Sequence, residues 1–347
     1  MSEKARWPLE LTAWYRSVRR EYPWRQDPQP YTVWISEIML QQTRIEAVLG
    51  YYERFMAAFP TVEALAAADE AAVLKLWEGL GYYSRARNLH KAARVICEQY
   101  NGHFPETYEA IRALPGIGDY TAGAIAAIAL GQPRTAIDGN VMRVTARIAA
   151  VEEDILRATT RKKVQAILEA VYPEDQASDF VQGLMELGEQ ICIPGTPRCD
   201  SCPLQDSCRA LAEGRTEQLP VRKKKEAPRR KDRLVVMIKQ GDAVLLHRRS
   251  AESGVLAGLW EYPGVDGSDP SRMEEYFAEQ LGLALRPVRH CMDAEHVFSH
   301  LRWCMKVYEA ELTGPVPAEG FCWATKQQLH EEIMLPTAFK KIKETLL

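Results

Sequence analysis

The chain has 347 residues, and its 44 basic and 47 acidic side chains leave a formal net charge of −3. With 46% hydrophobic and 26% charged residues, the composition is that of a globular protein of about two domains, which excludes wholesale disorder and a collagen-like fold. The slightly acidic balance disfavours a protein that coats nucleic acid without specificity. The longest uncharged stretch, Tyr120–Pro133, is shorter than the roughly 20 residues of a membrane-spanning helix, and the first residues lack the apolar core of a signal peptide. We therefore expect a cytoplasmic protein with no membrane partner.

Helical periodicity dominates the first 212 residues. Apolar residues recur three and four positions apart in several segments, which turn-forming dipeptides such as Asn101-Gly102 separate. These segments are Val33–Tyr52, Ala71–Tyr82, Ala86–Tyr100, Tyr120–Leu130 and Val141–Val151. The pattern predicts an all-α domain over residues 1–214.

Glu37 lies inside the first of these segments, on the same helical stripe as Val33 and Leu40. A carboxyl group that faces the apolar side of a helix has a raised pKa and holds a proton near neutral pH, as a general acid must. The alternative is a solvent-exposed glutamate at the edge of the helix.

Two glycines, Gly116 and Gly118, lie at a predicted helix–turn–helix junction in Leu114–Ala122. Glycine permits a positive φ and the close approach of another backbone. A helix begins directly after them, so its free N–H groups and its positive dipole end form an anion site that suits a DNA phosphate. A plain turn between two helices is the alternative. A dinucleotide-binding fingerprint is excluded, because no strand precedes the glycines and no third glycine is in register.

Asp138 stands directly before Gly139-Asn140 and a predicted helix, which is the usual place of an N-cap. The functional alternative is a carboxylate that stabilises a cationic sugar. Glu37 and Asp138 would then form the pair of carboxyl groups that cleaves glycosidic bonds.

Four cysteines, Cys192, Cys199, Cys202 and Cys208, fall within seventeen residues, whereas the other four of the chain are scattered. Because a disulfide framework is unusual in a reducing compartment, the cluster predicts a metal centre. Structural zinc usually has two CxxC knuckles and only one is present here, while an iron–sulfur cluster tolerates uneven spacing. The spacing leaves both open.

The pattern changes after the cysteines. Residues 215–233 contain nine basic and three acidic side chains, which predicts a linker of charge +6 and leaves −9 on the rest of the chain. From Leu234 the period is strand-like, with a hairpin around residues 240–242, a long strand over His296–Leu312, and amphipathic helices over Met273–Leu283 and Thr337–Leu346. This predicts an α+β domain.

Together and in this order, these features resemble the helix-hairpin-helix DNA glycosylases with an iron–sulfur cluster, and within them the MutY-type adenine glycosylases. The segments Trp34–Thr43 and Gly81–Leu89 are similar to the adenine branch. The resemblance covers essentially the whole chain. It implies a multidomain protein with an all-α helix-hairpin-helix glycosylase domain over residues 1–214, a linker over 215–233, and an α+β Nudix-like domain over 234–347. The glycosylase domain would divide into a six-helix module at about 27–130 and a cluster module of 1–26 plus 131–214.

The resemblance also implies a role for each candidate residue. Relatives that cleave the DNA backbone carry a lysine where this chain has Tyr120, so a monofunctional glycosylase is expected. Glu37 would protonate adenine, Asp138 would stabilise the sugar cation, and Tyr120 and Asn140 would orient and shield it. The residues expected to position the base or contact DNA are Arg20, Arg25, Gln42, Tyr82, Gly116 and Gly118.

The implied cofactor is a [4Fe–4S] cluster on Cys192, Cys199, Cys202 and Cys208, and the implied partner of this monomer is duplex DNA with adenine opposite 8-oxoguanine. Phe298, Ser299 and His300 would recognise the 8-oxoguanine, within a Nudix-like domain whose magnesium-binding glutamates are mostly replaced. Two alternatives are a thymine-mismatch or pyrimidine-lesion glycosylase of the same superfamily and a non-catalytic iron–sulfur protein that binds DNA.

Overall fold

The computed structural model describes residues 6–173, 175–223, 227–250, 252 and 254–346. These residues form two compact units. The first unit comprises residues up to 67 together with residues from 88 to 223, and the second comprises residues 68–87 together with those from 227 onward. Part of the predicted linker, residues 224–226, lies outside the described residues.

Helices make up the ordered part of the chain before residue 213. They are α1 (Trp7–Val18), α2 (Pro23–Gln26), α3 (Pro30–Leu40), α4 (Ile45–Ala58), α5 (Val62–Ala67), α6 (Glu70–Leu76), α7 (Ser84–Tyr100), α8 (Tyr108–Ala113), α9 (Asp119–Ile128), α10 (Gly139–Ile148), α11 (Ala158–Val171), α12 (Ala177–Gln190) and α13 (Arg209–Ala212). Helix α6 and the start of α7 belong to the second unit. No described helix is long and apolar enough to cross a membrane.

The helix expected over Val33–Tyr52 is two helices. Helix α3 ends at Leu40, and α4 begins at Ile45. Gln42 between them has a φ of +60°, which an α-helix does not accommodate. The apolar spacing runs across the break because each helix buries one face, so the period alone does not reveal the interruption.

The core that supports the site lies between α1, α10 and α12. Trp7 and Leu11 of α1 are buried against Phe180 and Leu184 of α12 and Val144 of α10. The ring centroids of Trp7 and Phe180 lie 5.6 Å apart. This packing holds the N-terminus of α10 and one face of α12 in a fixed relation.

The strands all belong to the second unit. They are β1 (Arg229–Met237), β2 (Lys239–Gln240), β3 (Ala243–Arg248), β4 (Trp260–Glu261), β5 (Gly264–Asp266), β6 (Leu285–Val297), β7 (Leu301–Leu312) and β8 (Phe321–Thr325), with helices α14 (Met273–Leu281), α15 (Lys326–Glu331) and α16 (Lys340–Leu346). One sheet has the order β5-β1-β7-β6, with β1 parallel to β7. In the other sheet, β3 pairs antiparallel with β2, β4 and β8.

Three predictions for this unit are corrected by the strand pairing. Strand β1 begins at Arg229, inside the predicted linker, because its first residues pair with β7. The hairpin predicted near residue 241 joins β2 to β3, while β1 pairs with β5 and β7 instead. The strand predicted over His296–Leu312 is broken: Phe298 N–H donates to the Leu301 carbonyl at 2.7 Å, so residues 298–300 turn the chain between β6 and β7.

Candidate functional site

The turn between α8 and α9 requires glycine at only one of its two glycine positions. Gly116 has a φ of +75°, and a Cβ atom there would lie 2.5 Å from the Cβ of Asn88. Gly118 has a φ of −94° and open space around it, so the left-handed conformation expected there is not adopted. Gly118 is instead the N-cap of α9, whose first backbone N–H groups have no partner within the helix.

A cavity of about 590 Å³ in the first unit brings together five of the residues predicted to act in catalysis or base positioning. They are Arg25, Glu37, Tyr120, Asp138 and Asn140. They come from α2, α3, α9 and the start of α10, which are well separated in the sequence. The same walls also carry Trp24, Arg44, Glu46, Gln182, Met185, Glu186 and Glu189.

Glu37 is buried in this cavity, as its place on the apolar side of α3 predicts. Its exposed fraction is 6%, and Tyr120 Oη donates a hydrogen bond to Glu37 Oε2 at 2.6 Å. Burial raises the pKa of Glu37 to about 7, while the Tyr120 hydrogen bond and Arg25 act to lower it and Asp138 acts to raise it. The carboxyl group is therefore divided between its acid and base forms near neutral pH.

Asp138 is the N-cap of α10 and also lines the cavity. Its Oδ1 accepts a hydrogen bond from Val141 N–H at 2.7 Å. Burial raises the pKa of Asp138, and backbone N–H groups of Val141 and Asn140 partly offset that rise. The capping bond fixes the orientation of the carboxyl group where it lines the cavity. Asp138 can therefore be both the N-cap of α10 and a functional group of the cavity.

Glu186 of α12 is a site residue that the sequence analysis missed. Its side chain is 1% exposed and binds Arg25 Nη2 at 2.8 Å and Arg20 Nε at 2.7 Å. Arg25 lines the cavity, whereas Arg20 contacts Glu186 and Glu189 without lining it. The available signal was the position of Glu186 between Leu184 and Leu187, which are both buried.

Arg143 connects Asn140 with the cysteine loop. Its Nη2 donates to Asn140 Oδ1 at 2.7 Å, and its Nε donates to the Cys192 carbonyl at 2.7 Å. Arg143 is 9% exposed, so both bonds are shielded from water. The loop that begins at Cys192 thereby contributes to the orientation of a residue in the cavity.

The four clustered thiols line a single small cavity beside Arg147. Cys192, Cys199, Cys202 and Cys208 all contribute to its wall. Among the described residues, no three His, Cys, Asp or Glu side chains are grouped so as to hold one metal ion. Burial raises the pKa of the Cys202 thiol to about 11. Four thiols from one loop that face one space are the donor set that an iron–sulfur cluster uses.

A second cavity, of about 500 Å³, lies within the second unit. It brings Tyr82 together with the three predicted recognition residues Phe298, Ser299 and His300. Phe298 is held by the edge of Trp303, with ring centroids 4.9 Å apart. Other walls come from residues 79–84, from Val255, Leu256 and Leu259, and from Thr337 and Ala338.

Gln42 and Tyr82, two of the residues predicted to position the base or contact DNA, share an unusual backbone conformation. Gln42 has a φ of +60° and Tyr82 a φ of +48°, and both are strained for residues with a side chain. Tyr82 is 48% exposed although it is a large aromatic residue. They belong to different units, Gln42 to the first and Tyr82 to the second.

Comparison with protein families identifies both parts of the chain. Residues 35–174 match the family model of the HhH-GPD superfamily base excision DNA repair proteins, and residues 233–345 match the NUDIX domain model. The predicted fold class, a helix-hairpin-helix glycosylase domain followed by a Nudix-like α+β domain, is confirmed.

Similar proteins cover almost the whole chain. An adenine DNA glycosylase from Rattus norvegicus is 34% identical over 96% of this chain and 76% of the relative, and one from Homo sapiens is 33% identical over 96% and 72%. Among solved structures, a thermostable thymine-DNA glycosylase matches 60% of this chain and 95% of its own, with a TM-score of 0.55 and 28% identity. An Endonuclease III–DNA complex shares the fold, with a TM-score of 0.51, 24% identity and coverage of 60% and 94%.

Proposed function

The chain belongs to the adenine DNA glycosylase family, and from that premise we propose that it removes adenine that is mispaired with 8-oxoguanine or with guanine in duplex DNA. It is a DNA glycosylase, a hydrolase of base excision repair. The observation that carries the proposal is the buried Glu37, whose carboxyl group shares one cavity with Tyr120 and Asp138.

The first chemical step is proton transfer from Glu37 to N7 of an adenine that has been flipped out of the duplex. Flipping costs a few kcal/mol, and less at a mispair. Because burial raises the pKa of Glu37 to about 7, a large fraction of this acid is protonated at neutral pH. Protonated adenine is the better leaving group, so the glycosidic bond breaks with the bonding electrons moving to the base.

Asp138 stabilises the positive charge that develops on the sugar. Its carboxylate is oriented by the capping bond to Val141, and Tyr120 and Asn140 line the same cavity. Water then completes an abasic site. The described residues that line the cavity include no lysine, so the walls offer no amine for a Schiff base. We therefore propose a monofunctional glycosylase.

The [4Fe–4S] cluster is proposed to be held by Cys192, Cys199, Cys202 and Cys208. Their common cavity and thiol donor set support this assignment. When bound, the cluster supplies a rigid cross-link of the loop rather than electrons, since hydrolysis transfers none. Arg143 couples that loop to Asn140 through its bond to the Cys192 carbonyl.

The cavity of the second unit is proposed to recognise the 8-oxoguanine. Phe298, Ser299 and His300 lie at the turn between β6 and β7, where they share the cavity with Tyr82. Replacing Phe298 or His300 by Ala should weaken discrimination between 8-oxoguanine and guanine opposite adenine. If discrimination is unchanged in both variants, this turn does not recognise the lesion.

DNA binding is proposed to use the α8–α9 turn as a phosphate anchor. Gly116 allows the backbone to turn sharply, and α9 presents its first N–H groups at that place. Arginines and lysines of the predicted linker add a salt-dependent attraction. Gln42 and Tyr82 are proposed to enter the duplex near the vacated base.

The enzyme is proposed to act as a cytoplasmic monomer. None of the eight cysteines, which all lie among the described residues, is paired in a disulfide, which suits a reducing compartment.

The deciding experiment offers the enzyme duplexes with A opposite 8-oxoguanine, A opposite G, and T opposite G. Strand breaks are scored with and without alkali. We expect excision from the first two duplexes, with breaks that need alkali. Excision of T instead of A would identify a thymine-mismatch enzyme, like the structural relative of that name. Breaks without alkali would contradict the monofunctional mechanism.

The metal centre needs a separate measurement. Analysis of iron and sulfide in the purified protein distinguishes an iron–sulfur cluster from zinc.

A further inference from the structure

Glu186 is a buried anion that faces two cations. One oxygen, Oε1, accepts from Arg20 Nε, and the other, Oε2, accepts from Arg25 Nη2 at 2.8 Å. Gln190 Nε2 also donates to Oε1. Burial alone would raise the pKa of Glu186, but the bonds from Arg25 and Arg20 hold it below its ordinary value. Glu186 is therefore ionised at neutral pH.

Arg25 is the member of this group that reaches the cavity of Glu37. Its guanidinium lies over the rings of Tyr15 and Tyr22, 5.7 and 4.9 Å from their centroids. Its Nη1 donates to the Arg20 carbonyl at 3.2 Å. Glu186 is the carboxylate that satisfies Nη2, so it fixes both the place and the charge balance of the guanidinium.

We propose that Glu186 is a positioning residue of the glycosylase reaction, which acts through Arg25 by anchoring its guanidinium and neutralising its charge beside Glu37. This inference rests on the proposed function of the cavity. A guanidinium without its counter-ion favours the carboxylate form of a nearby acid. Glu186 thus preserves the proton that Glu37 donates to adenine.

Among the described residues, no other group around Glu37 is known to balance the charge of Arg25 as Glu186 does. Besides Glu37, the charged or titratable groups that line the cavity are Tyr22, Arg25, Arg44, Glu46, Tyr120, Asp138, Glu186 and Glu189. Burial raises the pKa of Glu37, Asp138 adds to the rise, and Tyr120 and Arg25 oppose it. Of the two opposing groups, Arg25 carries a full charge. Its effect on the pKa of Glu37 is the smallest of the four while Glu186 balances that charge, and it grows when the counter-ion is removed.

The test is the pH dependence of adenine excision under single-turnover conditions, with A opposite 8-oxoguanine as substrate. In Glu186→Gln, the limb in which excision falls with rising pH should move to lower pH by about one unit. Excision at pH 8 then drops about tenfold relative to the parent chain, while excision at pH 5.5 changes much less. A merely structural role would lower excision by the same factor at every pH.

Asp179→Asn is the matched control. Asp179 is another α12 carboxylate in an ion pair, with Arg16 Nε of α1 at 2.6 Å, but it does not line the cavity. Its pH profile should coincide with that of the parent chain. The double variant Arg25→Gln/Glu186→Gln removes both charges, so its alkaline limb should return toward the parent position even if its rate is lower.

Two outcomes overturn the inference. One is a uniform loss of excision in Glu186→Gln, and the other is a double variant whose alkaline limb stays displaced. Neither affects the proposed function, which fails only if the parent chain does not release adenine. If Glu186→Gln does not fold, a limb in Arg25→Gln that stays at the parent position or moves to lower pH contradicts the inference, because removal of the charge should move it to higher pH.

Discussion

The proton on Glu37 depends first on burial, because the hydrogen bond from Tyr120 and the charge of Arg25 both favour its loss. An acid that works by proton donation is lost when the carboxyl becomes an amide of the same shape. Glu37→Gln should therefore reduce adenine release by at least about 10²-fold, whereas DNA affinity should stay within about tenfold. Single-turnover excision and equilibrium binding to the mispaired duplex measure the two quantities.

The exposed Glu53 of α4 provides the comparison for this variant. Glu53→Gln makes the same chemical change on the surface and should leave excision and binding unaltered. Retention of excision in Glu37→Gln would exclude Glu37 as the acid, and a parallel loss of binding would indicate that the variant disturbs the cavity instead.

Glu37 should also make the fold less stable as the pH rises. Burial raises its pKa from 4.5 to about 7, so the folded chain holds this proton more tightly than the unfolded chain. The stability that Glu37 contributes is complete below pH 4.5 and declines until about pH 7. Glu37→Gln should therefore be more stable than the parent chain at pH 8, by on the order of 3 kcal/mol, and nearly equal to it at pH 4.5. Urea unfolding at the two pH values measures this, and an equal difference at both would refute it.

The burial or capping role of a single residue could be predicted from the sequence where it depends on residues close to it in the chain. The stripe of Val33, Glu37 and Leu40 predicts the burial of Glu37, and the order Asp138-Gly139-Asn140 predicts the N-cap, because both depend on local geometry. Glu186 was not predicted as a site residue because its role depends on its ion pair with Arg25, which is 161 positions away in the sequence. The local pattern around Glu186 could indicate its burial, but it could not identify Arg25 as its partner.

At the scale of an element, the two glycines of the α8–α9 turn provide a matched pair. Gly116→Ala places a Cβ atom against Asn88 and requires a positive φ, whereas Gly118→Ala meets open space at an ordinary φ. We expect Gly116→Ala to lower the free energy of unfolding by about 1–2 kcal/mol or more, and Gly118→Ala to change it by less than about 0.5 kcal/mol. Thermal or urea unfolding measures both, and equal effects would contradict this account of the turn.

Three predicted elements end or break at a turn. The helix predicted over Ala71–Tyr82 ends at Leu76, and the other two breaks are internal. Periodicity continues across residues 41–44 and across residues 298–300, although both segments change the direction of the chain. At Gln42 the helix is interrupted by a positive φ. Glutamine rarely adopts this conformation, so its residue type does not predict the break. At residues 298–300 the turn has neither glycine nor proline, so the pairing of β6 with β7 determines it. Both internal breaks fall at residues proposed to contact DNA. At Gln42 the backbone is also strained, as it often is at functional sites.

At the scale of the whole molecule, the sequence pattern predicted where helices give way to strands. It did not predict the boundary between the two units. The charge and proline content of residues 215–233 suggest a linker, yet β1 starts at Arg229, and residues 68–87 join the second unit. Helix α6 has the same apolar period as its neighbours in the first unit. Its membership depends on contacts with residues about 250 positions later, such as the bond from Lys75 Nζ to the Leu329 carbonyl.

That division predicts how a shortened chain behaves. A chain that ends at residue 226 keeps every helix through α13 but removes the partners of residues 68–87, including the Ala257 carbonyl that accepts from Arg87 at 2.7 Å. Amide hydrogen exchange in α6 should then accelerate about tenfold or more relative to the full chain, because its opening no longer breaks those contacts. Exchange in α10, whose core partners all remain, should change less than about twofold and serves as the internal control. Equal protection of α6 in both chains would mean that residues 68–87 are held by the first unit, so a cut at residue 226 would separate two independent domains.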